Sequence, residues 1–213
     1  MDRVEKIAFL TTIAALIGLE CVATLLHRQS WASVFTPLSW TAMVRCADIL
    51  LFLIMFRLLS VPLSVVGLKK FVRGSIIGLV VSLALGSGFF LLSHMTRSLW
   101  GVDLRTFANP GVTVRAPAPL VTLCLIGPFV EEIFFRGLCY TLIRAHSGMW
   151  ISVILSALLF AAGHFLNAGA PAVALIPFIG GIVFALLYEY TGSLFAPFAL
   201  HAVANFILFT RII

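Results

Sequence analysis

Charged residues are scarce in this sequence of 213 residues. Asp, Glu, Lys and Arg together account for 10% of the chain, hydrophobic residues account for 62%, and the mean hydropathy is +1.14. Soluble domains contain about a quarter charged and about half apolar residues, so these values exclude a soluble fold. Disordered chains, collagen and coiled coils are also excluded, because their high charge, glycine repeat or heptads are missing. The remaining class is a polytopic membrane protein.

Paired cysteines are lacking as well. The four cysteines lie in apolar segments and none has CxxC spacing, which indicates neither a disulfide framework nor a thiolate metal site. The net charge of +6 comes mostly from Lys and Arg at the ends of apolar runs. We interpret them as contacts with lipid headgroups rather than with nucleic acid.

Apolar runs of bilayer length are abundant instead. Seven candidate spans have the length and hydropathy of transmembrane helices, at residues 7–26, 40–60, 72–95, 118–143, 149–166, 171–189 and 193–211. They predict an all-α transmembrane bundle of about seven helices that forms one integral membrane domain over residues 1–213. The polar stretch 96–119 is expected to be a surface loop. Small residues are expected to let helices approach closely, at Gly74, Gly78, Gly86, Gly88, Gly180 and Gly181.

The fourth span contains charged residues that lipid disfavours: Glu131, Glu132 and Arg136 lie within six residues of each other. A charge at the centre of a membrane costs on the order of 3 kcal/mol, so each needs a partner or a function. Glu132 and Arg136 are four residues apart and share a helix face, which predicts an ion pair. Glu131 lies about 100° away around the helix, with no basic residue one turn before or after it. It is the candidate functional carboxylate.

Two later spans also carry polar residues at helical spacing. Phe160 and His164 are four apart, as are His201 and Asn205. Each pair alone has a structural interpretation, as a core histidine or as an interhelical hydrogen bond. Three helices that each bring one polar face to an apolar bundle favour a single buried site. Arg45 and Asp48, three apart in the second span, are expected to pair, and Glu20 shares a face with His27.

A glutamate, two histidines and an asparagine suit hydrolysis by an activated water. The carboxylate and an imidazole accept its proton, and further donors stabilise the oxyanion. Two histidines and one glutamate are also a donor set for catalytic zinc. The residue types alone leave both alternatives open.

The order Glu131-Glu132-x-x-x-Arg136, Phe160-x-x-x-His164 and His201-x-x-x-Asn205 on successive helices resembles the CAAX protease and bacteriocin-processing (CPBP) family of intramembrane endopeptidases. The resemblance covers residues 116–211, which would be the catalytic core. It implies a glutamic protease without metal or other cofactor, acting on a peptide or protein substrate at the membrane.

The resemblance also implies a role for each matching residue. Glu131 and His164 would activate water, and His201 and Asn205 would bind the oxyanion. Glu132 and Arg136 would be structural, and Phe160 would support the site.

Signatures of other intramembrane protease classes do not occur in the sequence. HExxH of site-2 metalloproteases and GxGD of presenilin-like proteases are missing. A non-catalytic scaffold or bacteriocin-immunity partner, a zinc-dependent protease and a small transporter remain alternatives. The short loops favour a multi-pass protein of a prokaryotic plasma membrane.

Overall fold

A computed structural model describes residues 1–29, 34–103, 114–168 and 171–210, without the side chains of 166–168 and 171–174. Within these ranges the chain forms seven helices and no strand. A short 3₁₀ turn, Leu63–Val66, joins the second helix to the third. The helices are α1 (Arg3–His27), α2 (Pro37–Leu58), α3 (Phe71–Trp100), α4 (Pro117–Arg144), α5 (Met149–Ala168), α6 (Pro171–Thr191) and α7 (Phe195–Thr210).

The all-α polytopic bundle predicted from hydropathy is confirmed. Four segments are long and apolar enough to cross a membrane: α1, α2, α4 and Leu63–Trp100, which contains α3. The described parts of α5, α6 and α7 are shorter apolar helices. The fold is therefore that of an integral membrane protein.

The third helix differs from its predicted bounds. It continues to Trp100 and ends at Gly101, whose φ of 70° is a left-handed conformation that terminates helices. Thr96 begins the polar stretch that is predicted to be a loop. Its hydroxyl instead donates to the carbonyl of Ser93 within the helix. The hydropathy of the sequence decreases before the helix ends, so the predicted boundary at residue 95 was too early. Residues 104–113 of the predicted loop lie outside the described residues.

Helix starts follow local chemistry. Asp2 accepts a hydrogen bond from the backbone of Glu5, and the Glu5 side chain accepts one from the backbone of Asp2, which forms a capping box at α1. Thr36 caps α2, whose first residue is Pro37. These caps satisfy backbone N–H groups at the N-termini of α1 and α2.

The helices pack most extensively as the pairs α5–α6 and α3–α7. The α3–α7 contact needs glycine, because a Cβ at Gly78 would overlap the carbonyl oxygen of Ala196. Gly74 and Gly181 make similar close approaches, as predicted. The prediction was wrong for Gly86 and Gly88, where an added Cβ would meet no described atom within 4 Å. Among the described atoms, a Cβ at Gly180 would meet Phe184 of its own helix at an ordinary 3.6 Å.

We expect Gly78→Ala to destabilise the protein by about 1–3 kcal/mol, since α3 must move away from α7 to accept the methyl group. Gly86→Ala in the same helix is the matched control. It should be neutral or stabilising by up to about 1 kcal/mol, because alanine favours helix. Thermal unfolding in detergent measures both. Equal melting temperatures for the two variants would contradict the close contact.

Candidate active site

Helix α4 carries both glutamates on a short α-helical segment, Gly127–Glu132, between two π-helical stretches. The stretches are Thr122–Ile126 and Ile133–Tyr140. Such stretches inside α-helices occur frequently at functional sites. At the first one, the N–H of Gly127 donates to the carbonyl of Thr122, five residues back. The next residue, Pro128, has no N–H to donate.

This geometry explains the position of Asn205. The carbonyl of Leu123 would accept from Gly127 in an α-helix or from Pro128 if the π-helix continued, and neither donor is available. The side-chain Nδ2 of Asn205 donates to this carbonyl at 2.9 Å. Asn205 thus satisfies a backbone acceptor of α4 and joins α7 to it. Sequence analysis missed this contact, although Pro128 was a signal for it.

Glu132 and Arg136 are both fully buried. Nη1 of Arg136 donates to Oε1 of Glu132 at 3.1 Å, the contact expected from their spacing. Two further partners come from other helices. Nδ1 of His201 donates to the same Oε1 at 2.9 Å, and Nη2 of Arg136 donates to the carbonyl of Gly181 at 3.1 Å. One buried network therefore joins α4, α6 and α7.

Aromatic rings enclose this network. The guanidinium carbon of Arg136 lies 4.5 Å from the centroid of Phe160 and 5.1 Å from that of Phe184, within the range of cation–π attraction. The ring of His201 stacks on Phe184 at 4.7 Å and meets Phe160 edge-on at 5.6 Å. Phe160 and Phe184 therefore hold the guanidinium of Arg136 and the imidazole of His201 in place.

Glu131 is placed differently from Glu132. Its side chain is 25% exposed, and its Oε2 lies 3.7 Å from Nε2 of His201, too far for a hydrogen bond. That oxygen is buried and has no hydrogen-bond partner among the described residues. The carboxylate therefore retains acceptor capacity for a ligand.

His164 is not joined to Glu131 by a hydrogen bond within the described residues. Its Nδ1 lies 3.0 Å from the carbonyl of Phe160. Because a carbonyl only accepts, Nδ1 carries the hydrogen, and in the neutral ring Nε2 keeps the lone pair. Its ring lies 4.5 Å from that of Phe160. His164 therefore contacts Phe160, whose ring also lies against Arg136 and His201.

The donor set for the zinc alternative is not assembled in this arrangement. Across the described ranges, no three His, Cys, Asp or Glu side chains are grouped as a metal site requires. The polar groups instead form a row of a free carboxylate, a histidine, a second carboxylate and a guanidinium.

Comparison with known proteins finds a match for the part of the chain that contains this row. Residues 113–207 match the family described as Type II CAAX prenyl endopeptidase Rce1-like. This segment of the chain is similar to the Rce1-like family. The match includes all the residues on which the resemblance to CPBP proteases was based. That resemblance is confirmed.

A curated relative matches over about the same length. The uncharacterized protein YpbD of Bacillus subtilis (strain 168) is 30% identical over 105 residues, which are 49% of this chain and 49% of that protein. The match therefore spans about half the length of this relative. No solved structure shows significant similarity.

The structure predicts different consequences for the two glutamates of the Rce1-like segment. Glu132→Gln removes the negative charge beside Arg136, and breaking a buried ion pair costs about 3–5 kcal/mol. Glu131→Gln breaks no hydrogen bond of the described structure, so its melting temperature in detergent should stay close to that of the wild type. The assignment is reversed if Glu131→Gln proves the less stable of the two.

The Asn205 contact predicts a coupling with Pro128. Asn205→Leu leaves the carbonyl of Leu123 without a donor, at a cost of about 1–3 kcal/mol. Pro128→Ala supplies a backbone N–H that can reach this carbonyl, so Asn205→Leu should cost less in that background. A double-mutant cycle of melting temperatures measures the coupling. Equal costs in both backgrounds would show that the contact does not contribute to stability.

Proposed function

We propose that this chain is an intramembrane endopeptidase that hydrolyses a peptide bond of a membrane-associated substrate with an activated water. The observation that carries the proposal is the buried Oε2 of Glu131, which has no hydrogen-bond partner among the described residues and is located inside an Rce1-like segment. A carboxylate with free acceptor capacity can take a proton from water. The adjacent Glu132 cannot serve in this way, since it is bonded to Arg136 and His201.

In the proposed reaction, Glu131 and the Nε2 lone pair of His164 orient a water molecule and accept its proton. The water oxygen attacks the carbonyl carbon and forms a tetrahedral intermediate with a negative oxygen. The C–N bond then breaks, and the accepted proton passes to the leaving amine. The products are a carboxylic acid and an amine, so water is the sole co-reactant.

The oxyanion would be bound by His201 and Asn205. In the doubly protonated form of His201, Nδ1 donates to Glu132 and Nε2 is free to donate to the oxyanion. Asn205 uses one Nδ2 hydrogen for the carbonyl of Leu123, and its second hydrogen remains for the substrate. Donors fixed before the reaction stabilise developing charge, and each contributes about 10²–10³ in rate.

The proposed mechanism needs no metal or other cofactor. Its substrate class is a peptide or protein held at the bilayer, without a role for nucleic acid. The bacterial relative and the seven-helix bundle support a location in the plasma membrane of a prokaryote.

The proposal predicts that a set of protein termini depends on Glu131. Termini of membrane proteins should be compared by proteomics between cells that produce the wild type and cells that produce Glu131→Gln. Loss of a general base typically lowers the rate by about 10²–10⁴, so dependent termini should disappear. Glu5→Gln is the matched control, because glutamine also serves in a capping box.

Two results would contradict this proposal. Identical termini with wild type and Glu131→Gln would favour the non-catalytic or transport alternatives. A purified enzyme that loses its cleavage of an identified substrate peptide to a chelator, and regains it with zinc, would favour the metal alternative.

A further inference from the structure

A cavity of about 360 Å³ lies at the end of the bundle where α4 and α6 terminate. Four elements form its wall: the first turn of α1, the turn between α2 and α3, and the ends of α4 and α6. Its volume is in the range of small-molecule sites. Tyr140 in its wall lies about 13 Å along α4 from Glu131, so the cavity is separate from the candidate active site.

Two carboxylates line this cavity, and both already have hydrogen-bond donors within the protein. Glu189 accepts from the hydroxyl of Tyr140 at 2.8 Å and from Nε of Arg144 at 3.1 Å. Glu5 accepts from the backbone N–H of Asp2 at 3.0 Å. The carboxylates are therefore engaged in holding the ends of α1, α4 and α6.

The two cations that line the cavity, Lys69 and Arg144, retain unused donors. Lys69 is exposed, and its ammonium group has no hydrogen-bond or ion-pair partner among the described residues. Arg144 uses Nε for Glu189 and Nη1 for the carbonyl of Ser147, so its Nη2 has no partner in the described structure. An ammonium and a guanidinium with free donors on one cavity suit an anion, and phosphate is a group that both side chains bind well.

The cavity lies at the more basic end of the bundle. At this end α1, α3, α5 and α7 begin and α2, α4 and α6 terminate. Its Lys and Arg residues, set against three carboxylates, are Arg3, Lys6, Arg57, Lys69, Lys70, Arg73 and Arg144. The described part of the opposite end has Arg28, Arg97 and Arg115. Basic residues concentrate on the cytoplasmic side of membrane proteins, where they attract anionic lipid headgroups.

Apolar side chains beside the cavity suit the acyl part of a lipid. Val65 lines the wall, and Leu63 of the same 3₁₀ turn is 38% exposed. On α1, Val4 is adjacent to Glu5 in the chain and is 57% exposed. A phospholipid places its phosphate at the level of helix ends and its acyl chains along apolar helix surfaces, whereas a soluble anion would not use these apolar groups.

We propose that this cavity binds the phosphate of an anionic phospholipid, held by Lys69 and by Nη2 of Arg144. The site exists only where α1, the turn before α3, α4 and α6 meet, so a bound lipid joins these elements. In the same wall, Thr141 donates to the carbonyl of Arg136 and is hydrogen-bonded to the hydroxyl of Tyr188. The lipid therefore supports the end of the helix that carries the candidate active site.

The test is thermal unfolding of the full-length protein in a neutral detergent, titrated separately with three probes. These are dioctanoyl phosphatidylglycerol, dioctanoyl phosphatidylcholine and inorganic phosphate. Because a ligand of the folded state raises the melting temperature, phosphatidylglycerol should raise it in a saturable way. Phosphatidylcholine should need a higher concentration, since Lys69 and Arg144 repel its choline cation. Inorganic phosphate at the same concentration should have little effect, because it has no acyl chains.

Lys69→Gln should raise the concentration of phosphatidylglycerol needed for half-maximal stabilisation by about fivefold, the contribution of one cation near a membrane surface. Its melting temperature without lipid should equal that of the wild type, because the Lys69 side chain is exposed and unpartnered in the described structure. Lys69→Arg keeps the charge and should bind like the wild type. Arg73→Gln is the matched control, since it removes an exposed cation of the same end that does not line the cavity.

Weaker binding of phosphatidylglycerol by Lys69→Gln, with wild-type binding by Lys69→Arg and Arg73→Gln, would support the inference. Equal losses in Lys69→Gln and Arg73→Gln would overturn it, because the basic end would then attract lipid diffusely. Stabilisation by inorganic phosphate equal to that by phosphatidylglycerol would also overturn it and would assign the cavity to a soluble anion. None of these measurements involves peptide cleavage, so the protease proposal is tested separately.

Discussion

A carboxylate buried in a bilayer is stable only beside positive charge or hydrogen-bond donors, and Glu132 meets this requirement with groups from two helices. Its Oε1 accepts from Arg136 in α4 and from His201 in α7. The same guanidinium continues to the carbonyl of Gly181 in α6. Gly181 also lets α6 approach Ala157 of α5, since an added Cβ would lie 3.0 Å from the Cα of Ala157. One buried charge thus joins α4, α6 and α7, and α5 packs closely against α6 at the same glycine.

The π-helical stretches of α4 raise a related problem for the backbone. A π register releases carbonyls from their usual donors, and a membrane interior offers no water to replace them. Side chains supply the hydrogen bonds instead. Asn205 donates to Leu123, Ser156 of α5 donates to Phe135 at 3.2 Å, and Thr141 donates to Arg136 at 3.1 Å. The irregular helix that displays the glutamates is therefore stabilised from α5 and α7, the helices that also carry His164 and His201.

Sequence patterns predicted the interactions that are local along the chain. Hydropathy was enough for seven helices, and spacings of four and three were enough for the Glu132–Arg136 and Arg45–Asp48 contacts. Contacts between helices were out of reach, because hydropathy does not specify which helices are neighbours or how they are rotated. Glu20 with Arg45, His201 with Glu132 and Glu189 with Arg144 are contacts of this kind. Hydropathy also could not place the π-helical stretches, which depend on single backbone hydrogen bonds around Pro128.

The half of the chain before the Rce1-like segment is part of the same structural unit. Phe9 of α1 and Phe52 and Phe56 of α2 are almost fully buried and belong to one apolar cluster with Ile133 and Leu138 of α4. An exchange or deletion of the first two helices would expose that cluster on the helix that carries Glu131. The helices that lie outside the family match must then be adapted to α4 in shape. Features specific to this chain are therefore expected in α1 and α2 as much as in the segment it shares with its relatives.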